Sequence, residues 1–188
     1  MVTKKLIMKK TTLLIFMLTV LSSLGHVMAW SAHRLEKKSE QTLISLYKNN
    51  PKAEALGNKA IAVLVFPEII KAGFIVGAQR GDGVLFRKGK IAGYYNTTAA
   101  SYGLQAGIQR FGYALFFMNE GALNYLHKSD GFELGGAPSL VVLDAGLSGS
   151  LSTTTLQHGI YALFFNQRGL MAGLSLQGTK ISEFIPTK

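Results

Sequence analysis

The chain has 188 residues, 48% of them apolar, and no cysteine, which excludes disulfides, thiolate metal sites and a lipid-modified N-terminal cysteine. Lys and Arg number 20 against 10 Asp and Glu, so the net charge is +10 at pH 7. A basic balance of this size favours anionic partners such as lipid headgroups, acidic glycans or nucleic acid.

The first 29 residues have the three parts of a secretory signal. A lysine-rich head without acids precedes the apolar run Leu13–Leu21, and small residues then lead to Val27 and Ala29 at the positions that a signal peptidase reads. A membrane-spanning anchor needs roughly 20 apolar residues, about twice this run. We therefore predict cleavage after Ala29 and a soluble protein exported to the periplasm or cell envelope, or secreted. Residues 30–188 then form one domain that holds 16 Lys and Arg against 10 acids, a net charge of +6.

Residues 30–60 form the helical part of this predicted domain. Leu35, Leu43 and Leu46 recur at helical spacing, with charged residues on the other side. Asn49-Asn50-Pro51 ends the helix, because proline cannot continue it and disfavours helical geometry at the preceding residue. Lys52–Ala60 is predicted as a second, shorter helix.

From Ile61 onward, short apolar runs punctuated by glycine predict a meander of strands. Turns are predicted at Arg80–Gly83 and Arg87–Lys90, because Asp-Gly and Lys-Gly tolerate positive φ. Asn119–His127 is predicted to form a short helix capped by Asn119, and Ser129–Gly131 is predicted to form a turn. The predicted strands are Ile61–Phe66, Gly73–Gln79, Gly83–Arg87, Lys90–Tyr95, Tyr102–Gln109, Tyr113–Met118, Ser139–Asp144, Ile160–Phe165 and Leu170–Gly178.

The strands Val63–Phe66 and Leu115–Met118 are continuously apolar, which indicates strands covered on both faces. Tyr113–Phe117 recurs as Tyr161–Phe165, either because both are similar central core strands, the favoured interpretation, or because the chain contains a duplication. The predicted class is α+β: a mainly antiparallel curled sheet or barrel-like domain, with N-terminal helices covering one side and a short helix near 119–127.

No pattern in the sequence indicates catalysis. His33, His127 and His158 lie on three different segments without metal-ligand spacing. The segment Gly83–Lys90 misses the phosphate-loop spacing by one residue. We therefore predict a protein that is not an enzyme and has no metal or cofactor. An enzyme would require Glu133 or Asp144 to meet a histidine in a pocket.

Basic residues give the candidate site. Arg34, Lys37 and Lys38 lie on the first helix close to Trp30. A basic helix with a neighbouring tryptophan can lie in a lipid headgroup interface, although a solvated helix that packs its leucines on its own domain is the alternative. The predicted lipid-binding residues are these four together with four on the two predicted turns: Arg80, Arg87, Lys88 and Lys90.

Several consecutive blocks, in order from about Leu35 to Phe184, resemble a SYLF domain. They include Lys59–Phe74, Ala100–Gly107 and Tyr161–Ile181. The resemblance implies a non-catalytic lipid-binding domain. Eukaryotic members are associated with phosphoinositides, through a basic amphipathic N-terminal segment that matches Trp30–Lys48 here, and some with actin filaments. We therefore expect docking on anionic lipid, with phosphoinositide-like or phospholipid headgroups, and no nucleic-acid partner. The alternative is an envelope structural or protein-interaction module without lipid affinity.

Overall fold

The computed structural model describes residues 32–128, 132–133, 140–144, 158–169 and 178–186. The predicted signal, Trp30, the predicted Ser129–Gly131 turn and most of the predicted strand Leu170–Gly178 lie outside the described residues.

Three helices occupy the positions predicted for them. Helix α1 spans Ala32–Asn49, α2 spans Pro51–Lys59 and α3 spans Glu120–Lys128. The Asn50 side chain separates α1 from α2: its Oδ1 accepts hydrogen bonds from the backbone N–H groups of Lys52 (3.0 Å) and Ala53 (3.1 Å). Pro51 follows at the first helical position, where its missing N–H costs nothing. Asn119 caps α3 in the same way, with 2.9 Å from its Oδ1 to the N–H of Ala122.

One long hairpin replaces much of the predicted meander. Strand β1 runs from Ala62 to Arg87 and β2 from Lys90 to Phe117, paired antiparallel. The chain reverses at Lys88 and Gly89, whose φ values of 50° and 72° confirm that predicted turn. The predicted strand end at Pro67 is wrong, because a register shift between Phe66 and Ile69 accommodates the proline, which has no N–H to donate.

The predicted turn at Arg80–Gly83 is also wrong. These residues continue β1, and Asp82 stands opposite Asn96 of β2. The glycines there serve a close contact instead of a turn: a Cβ on Gly83 would lie 2.6 Å from both the Val65 carbonyl oxygen and the Phe66 ring. Gly83 therefore lets the second half of β1 approach its first half.

The other strands extend the hairpin into a six-stranded curled sheet. They are β3 (Phe132–Glu133), β4 (Leu140–Asp144), β5 (Ile160–Gly169) and β6 (Lys180–Glu183). The path is β3-β6-β2-β5-β4, with β1 paired to β2, and only the β4–β5 pairing is parallel among the described strands. The predicted α+β class with a mainly antiparallel curled sheet is confirmed.

The hairpin bends in its middle. A Cβ on Gly73 would lie 2.3 Å from the Cα of Gly77, and the pairing register shifts between Phe74 and Val76. We call residues 73–77 of β1 and their partners 101–107 of β2 the bend. The bend lies between the open end of the hairpin, where Ala62 pairs with Phe117, and the Lys88–Gly89 turn, here called the hairpin tip.

Apolar clusters cover both faces of the central strands. The inner cluster includes Tyr113, Leu115 and Phe164 with Leu123 and Leu126 of α3. The outer cluster lies beneath α1 and α2 and contains the buried residues Leu46, Ala53, Leu56, Val63, Val65, Ala114, Phe116, Tyr161, Leu163 and Phe165. The prediction of doubly covered strands is confirmed. The two repeated blocks are adjacent central strands, with Tyr113 opposite Phe164, as the favoured interpretation of the repeat expects.

Candidate functional site

Helix α1 segregates its charges. Leu35 and Leu46 are buried against the sheet, whereas Arg34 and Lys37 are exposed. Arg34 lies one turn before Lys38 and therefore shares its side of the helix. Glu36 lies on another side, where it accepts a hydrogen bond from the Tyr94 hydroxyl. That bond is the main reason that the pKa of Tyr94 is raised. The basic side of α1 is thus separate from its acidic side.

Glu68 holds two of the cations that border α1. It lies at the irregularity in β1 and forms ion pairs with Lys38 and, at 3.3 Å, with Arg110 of β2. The hydrogen bond from Lys38 is the main cause that lowers the pKa of Glu68, and the charges of Lys38 and Arg110 lower it further, against the opposing effect of burial. Glu68 is therefore a carboxylate that positions two cations.

A third cation, Arg168, lines the same cleft as Glu68 and its two partners. Arg168 of β5 is the direct cross-strand partner of Arg110. Like charges directly opposite each other on antiparallel strands are destabilising. Lys38 and Arg110 contact the carboxylate of Glu68, and we call these three residues together with Arg168 the basic cluster. They line a cleft of about 240 Å³. A second cleft of about 420 Å³ shares Lys38 and continues along polar side chains of α1.

Most of the predicted residues fall into two sets with different partners. Arg34, Lys37 and Lys38 lie with the basic cluster, because Lys38 contacts Glu68. Arg87, Lys88 and Lys90 are exposed at the hairpin tip. Arg87 forms an ion pair there with Glu120 of α3. The later part of α1 contributes Leu43 and Tyr47 to a cleft of about 340 Å³ beside Phe86 and Lys88.

Arg80 belongs to neither set. It is exposed on β1, seven residues from Arg87, which is about 23 Å along an extended strand. It therefore lies nearer the bend than the hairpin tip. Trp30 is outside the described residues.

Arg110 and Arg168 were not singled out in the sequence, although a signal for them exists. Arg110 precedes the block Tyr113–Phe117 by three residues, and Arg168 follows the block Tyr161–Phe165 by three. When two such blocks pair antiparallel, the residue before one lies opposite the residue after the other. The repeat therefore indicates that the two arginines lie close together. The blocks themselves pair with Tyr113 opposite Phe164, and a register shift between Arg110 and Gly112 brings the arginines directly opposite each other.

Two of the described histidines, His127 and His158, contact tyrosines. The Nδ1 atom of His127 lies 3.1 Å from the hydroxyl of Tyr95, and the His158 ring packs edge-on against Tyr161. Burial raises the pKa of Tyr95 to about 12, with a smaller contribution from the charge of Glu183. Neither contact is the histidine–carboxylate pair that the enzyme alternative requires.

The described ranges hold neither a metal-binding cluster nor a membrane-spanning helix. Residues 32–128 and the four shorter described segments contain no group of three or more His, Asp or Glu side chains that could hold a metal ion. In the same part of the chain, no helix combines the length and the apolar character needed to cross a membrane.

The molecule is thus a curled-sheet α+β domain whose candidate site is a group of surface cations, as in a domain that binds anions. The family model described as Ysc84, Las17-binding protein actin regulator, matches residues 98–184. This match confirms the predicted resemblance to the SYLF family, which is known in general as lipid-binding or actin-associated and not as enzymatic. The matched range includes Arg110 and Arg168. No curated protein matches the chain significantly.

Proposed function

We propose that this protein is an exported, non-catalytic domain that docks on the anionic headgroups of membrane lipids through the basic cluster and the exposed Arg34 and Lys37. The observation that carries the proposal is a cleft lined by three cations and one carboxylate. Lys38 and Arg110 pair with Glu68, and Arg168 lies directly opposite Arg110.

A phosphate group fits this arrangement chemically. The guanidinium group presents a planar fork of N–H donors that matches phosphate oxygens, and cross-strand partners have Cα atoms about 5 Å apart. One phosphate can therefore accept from Arg110 and Arg168 together. Its negative charge would offset the repulsion between them, which Glu68 offsets only in part.

The expected affinity follows from the charges. Each basic residue near an anionic surface contributes about 1 kcal/mol. Five cations less the charge of Glu68 give a net of four, or roughly 4 kcal/mol, which corresponds to a dissociation constant of about 1 mM. Docking through charge alone is weak at physiological salt, so it should respond strongly to salt concentration and to the loss of one or two cations.

The proposed location is the periplasm or cell envelope, supported by the signal-like N-terminus. The anionic lipids available there would be phospholipids such as phosphatidylglycerol, or glycolipids of an outer leaflet.

Co-sedimentation with vesicles tests the proposal. The full chain is expressed and the protein that accumulates is purified. It is then mixed with phosphatidylcholine vesicles and with vesicles that also contain phosphatidylglycerol, at low and high salt. We expect binding to the anionic vesicles only, weakened by salt. The double variant Arg110→Gln/Arg168→Gln should bind about 30-fold more weakly, since it removes two cations at about 1 kcal/mol each.

Two further double variants locate the docking surface. Lys48→Gln/Lys59→Gln removes the same charge from exposed residues near the ends of α1 and α2 and should change binding little. Lys88→Gln/Lys90→Gln examines the hairpin tip. An equal loss in all three variants would contradict a localised site. A loss confined to the third would move the site to the hairpin tip, and no vesicle binding in any condition would refute lipid docking.

A protein-binding module is the second candidate. It is favoured by the cleft of about 340 Å³ beside Leu43, Tyr47 and Phe86, and by the matched family's description as a binding protein. If vesicles do not bind, loss of a captured protein partner in the variant Leu43→Asp, with its fold intact, would support this candidate.

A further inference from the structure

Several described side chains that flank the bend are apolar and exposed. Val76 and Ile108 are 63% and 62% exposed, and Ile70 is 40% exposed. Ala72 stands opposite Ile108, and the alanine pair Ala78 and Ala100 is exposed beyond it. We call these six residues the bend patch: Ile70, Ala72, Val76, Ala78, Ala100 and Ile108.

The inner surface at the same level is polar. Lys71 and Gln109 stand directly opposite each other and are both buried. Gln79 is also buried and donates a hydrogen bond from its Nε2 to Thr179 Oγ1 at 3.4 Å. Successive side chains of a strand point to opposite faces, so Ile70 and Ala72 point outward because Lys71 points inward. Beside the bend, buried polar side chains thus face inward and exposed apolar ones face outward, whereas the central strands are apolar on both faces.

Apolar side chains on the exposed face and polar ones on the buried face require a reason, because exposed apolar surface usually marks an interaction site. The border of the patch indicates its occupant. Arg110 stands opposite Ile70 and shares the outer face with Ile108, and Arg80 follows Ala78 on the outer face at the other side. An apolar centre edged by arginines is complementary to a membrane surface, where phosphates lie above acyl chains.

We propose that the bend inserts into the headgroup–acyl boundary of an anionic bilayer, with Ile70, Val76 and Ile108 on the apolar side and Arg80 and Arg110 at the level of the phosphates. This inference rests on the proposed lipid docking and adds the inserted element to it. Such surface elements lie about 5–10 Å into the boundary. A second copy is a poorer occupant, because two bend patches face to face would also bring their arginines together.

The chain contains no cysteine, so one introduced cysteine can carry a single fluorescent probe. Ile108→Cys places a polarity-sensitive dye in the bend patch. Ile44→Cys, in which a residue 60% exposed on α1 is replaced, is the matched control, since Ile108 is 62% exposed. On adding phosphatidylglycerol-containing vesicles, we expect the emission at position 108 to shift to shorter wavelength and to be quenched by lipids that carry a quencher on the acyl chain. The probe at position 44 should do neither.

Binding measured without a dye provides the second test. Ile108→Ser should lower partitioning into anionic vesicles by about tenfold, as expected for the loss of one inserted aliphatic side chain, and Ile44→Ser should not. Vesicle binding with an unchanged probe at position 108 would refute insertion while leaving lipid docking intact. No vesicle binding at all would refute both. A probe at position 108 that is already in apolar surroundings without vesicles would overturn the proposal, because the patch would then be covered by the chain itself, or by a second copy if the signal depended on protein concentration.

Discussion

Replacing Arg168 by glutamine should stabilise the unbound protein while weakening its binding to anionic vesicles. Arg168 and Arg110 are direct cross-strand partners, and like charges in that arrangement cost about 0.2–1 kcal/mol. The Arg110 side chain is 62% exposed, so solvent screening favours the lower part of this range, about 0.2–0.5 kcal/mol. For a domain of this size, the gain corresponds to about 1 °C in the melting temperature.

The loss in binding follows from the same side chain. One cation near an anionic surface contributes about 1 kcal/mol, so the variant should bind vesicles about fivefold more weakly. Opposite changes in stability and binding are typical of a residue kept for function at a cost in stability. A residue kept for the fold would change both in the same direction, or only stability.

Scanning calorimetry at low salt and in 1 M salt measures the stability change. At 1 M salt the screening length is about 3 Å, so the difference between Arg168→Gln and the wild type should nearly vanish. Arg80→Gln is the control, because the cross-strand partner of Arg80 is Thr98, which carries no charge. It should leave stability unchanged or slightly lower, since Arg80 attracts the nearby Asp82. A variant Arg168→Gln that is less stable at low salt, or equally stabilised at both salt concentrations, would refute the repulsion between the arginines.

Three further variants examine the elements that hold the site. The lowered pKa of Glu68 stabilises the fold above the ordinary value of about 4.3, and this contribution is lost as the pH falls. The free energy of unfolding measured in urea should therefore fall more steeply between about pH 5 and pH 3 in the wild type than in Glu68→Gln. Equal slopes against pH would argue against the ion pairs. Gly83→Ala should cost about 1–3 kcal/mol in urea unfolding, because its Cβ would overlap the Val65 carbonyl oxygen; a neutral result would show that the halves of β1 are not in contact. Asn50→Ala should cost about 1 kcal/mol through the lost cap of α2, whereas the exposed Asn58→Ala should not destabilise, and equal effects would contradict the capping role.

Local sequence patterns were sufficient to predict the helices and the apolar segments that form the sheet. The cap at Asn50 and the strands that are apolar on both faces were predictable, because each depends on neighbouring residues. The turn predicted at Arg80–Gly83 was wrong because Asp-Gly has the same local signature in a turn and in a strand. Gly83 is needed for contact with Val65, which precedes it by 18 positions in the chain, and no local pattern contains that contact.

The basic cluster required the register of the strands. Lys38 was predicted from its helix, whereas Arg110 and Arg168 become neighbours only when β2 and β5 pair antiparallel. The position of the hairpin tip relative to α1 likewise depends on how far β1 continues. Strand β1 continues to Arg87 and folds back on itself, so the hairpin tip lies beside the later part of α1, where Lys88 shares a cleft with Leu43 and Tyr47. The helix cations and the tip cations therefore have different partners: Lys38 pairs with Glu68, and Arg87 pairs with Glu120 of α3.

Which face of the strand beside the bend is buried could not be predicted from the alternation of apolar and polar residues. Ile70, Lys71 and Ala72 alternate as a half-buried strand does, but a period of two defines two faces without saying which one lies inside. The curl of the sheet decides this, and it turns Lys71 inward.

Docking therefore combines two contributions that salt should separate. Salt screens the arginines but leaves the transfer of Ile108 into an apolar phase nearly unchanged. As salt rises, vesicle binding by the wild type and by Arg110→Gln/Arg168→Gln should converge. The ratio between the wild type and Ile108→Ser should persist for as long as binding can be measured. If that ratio also collapsed, Ile108 would be supporting the position of Arg110 instead of entering the membrane.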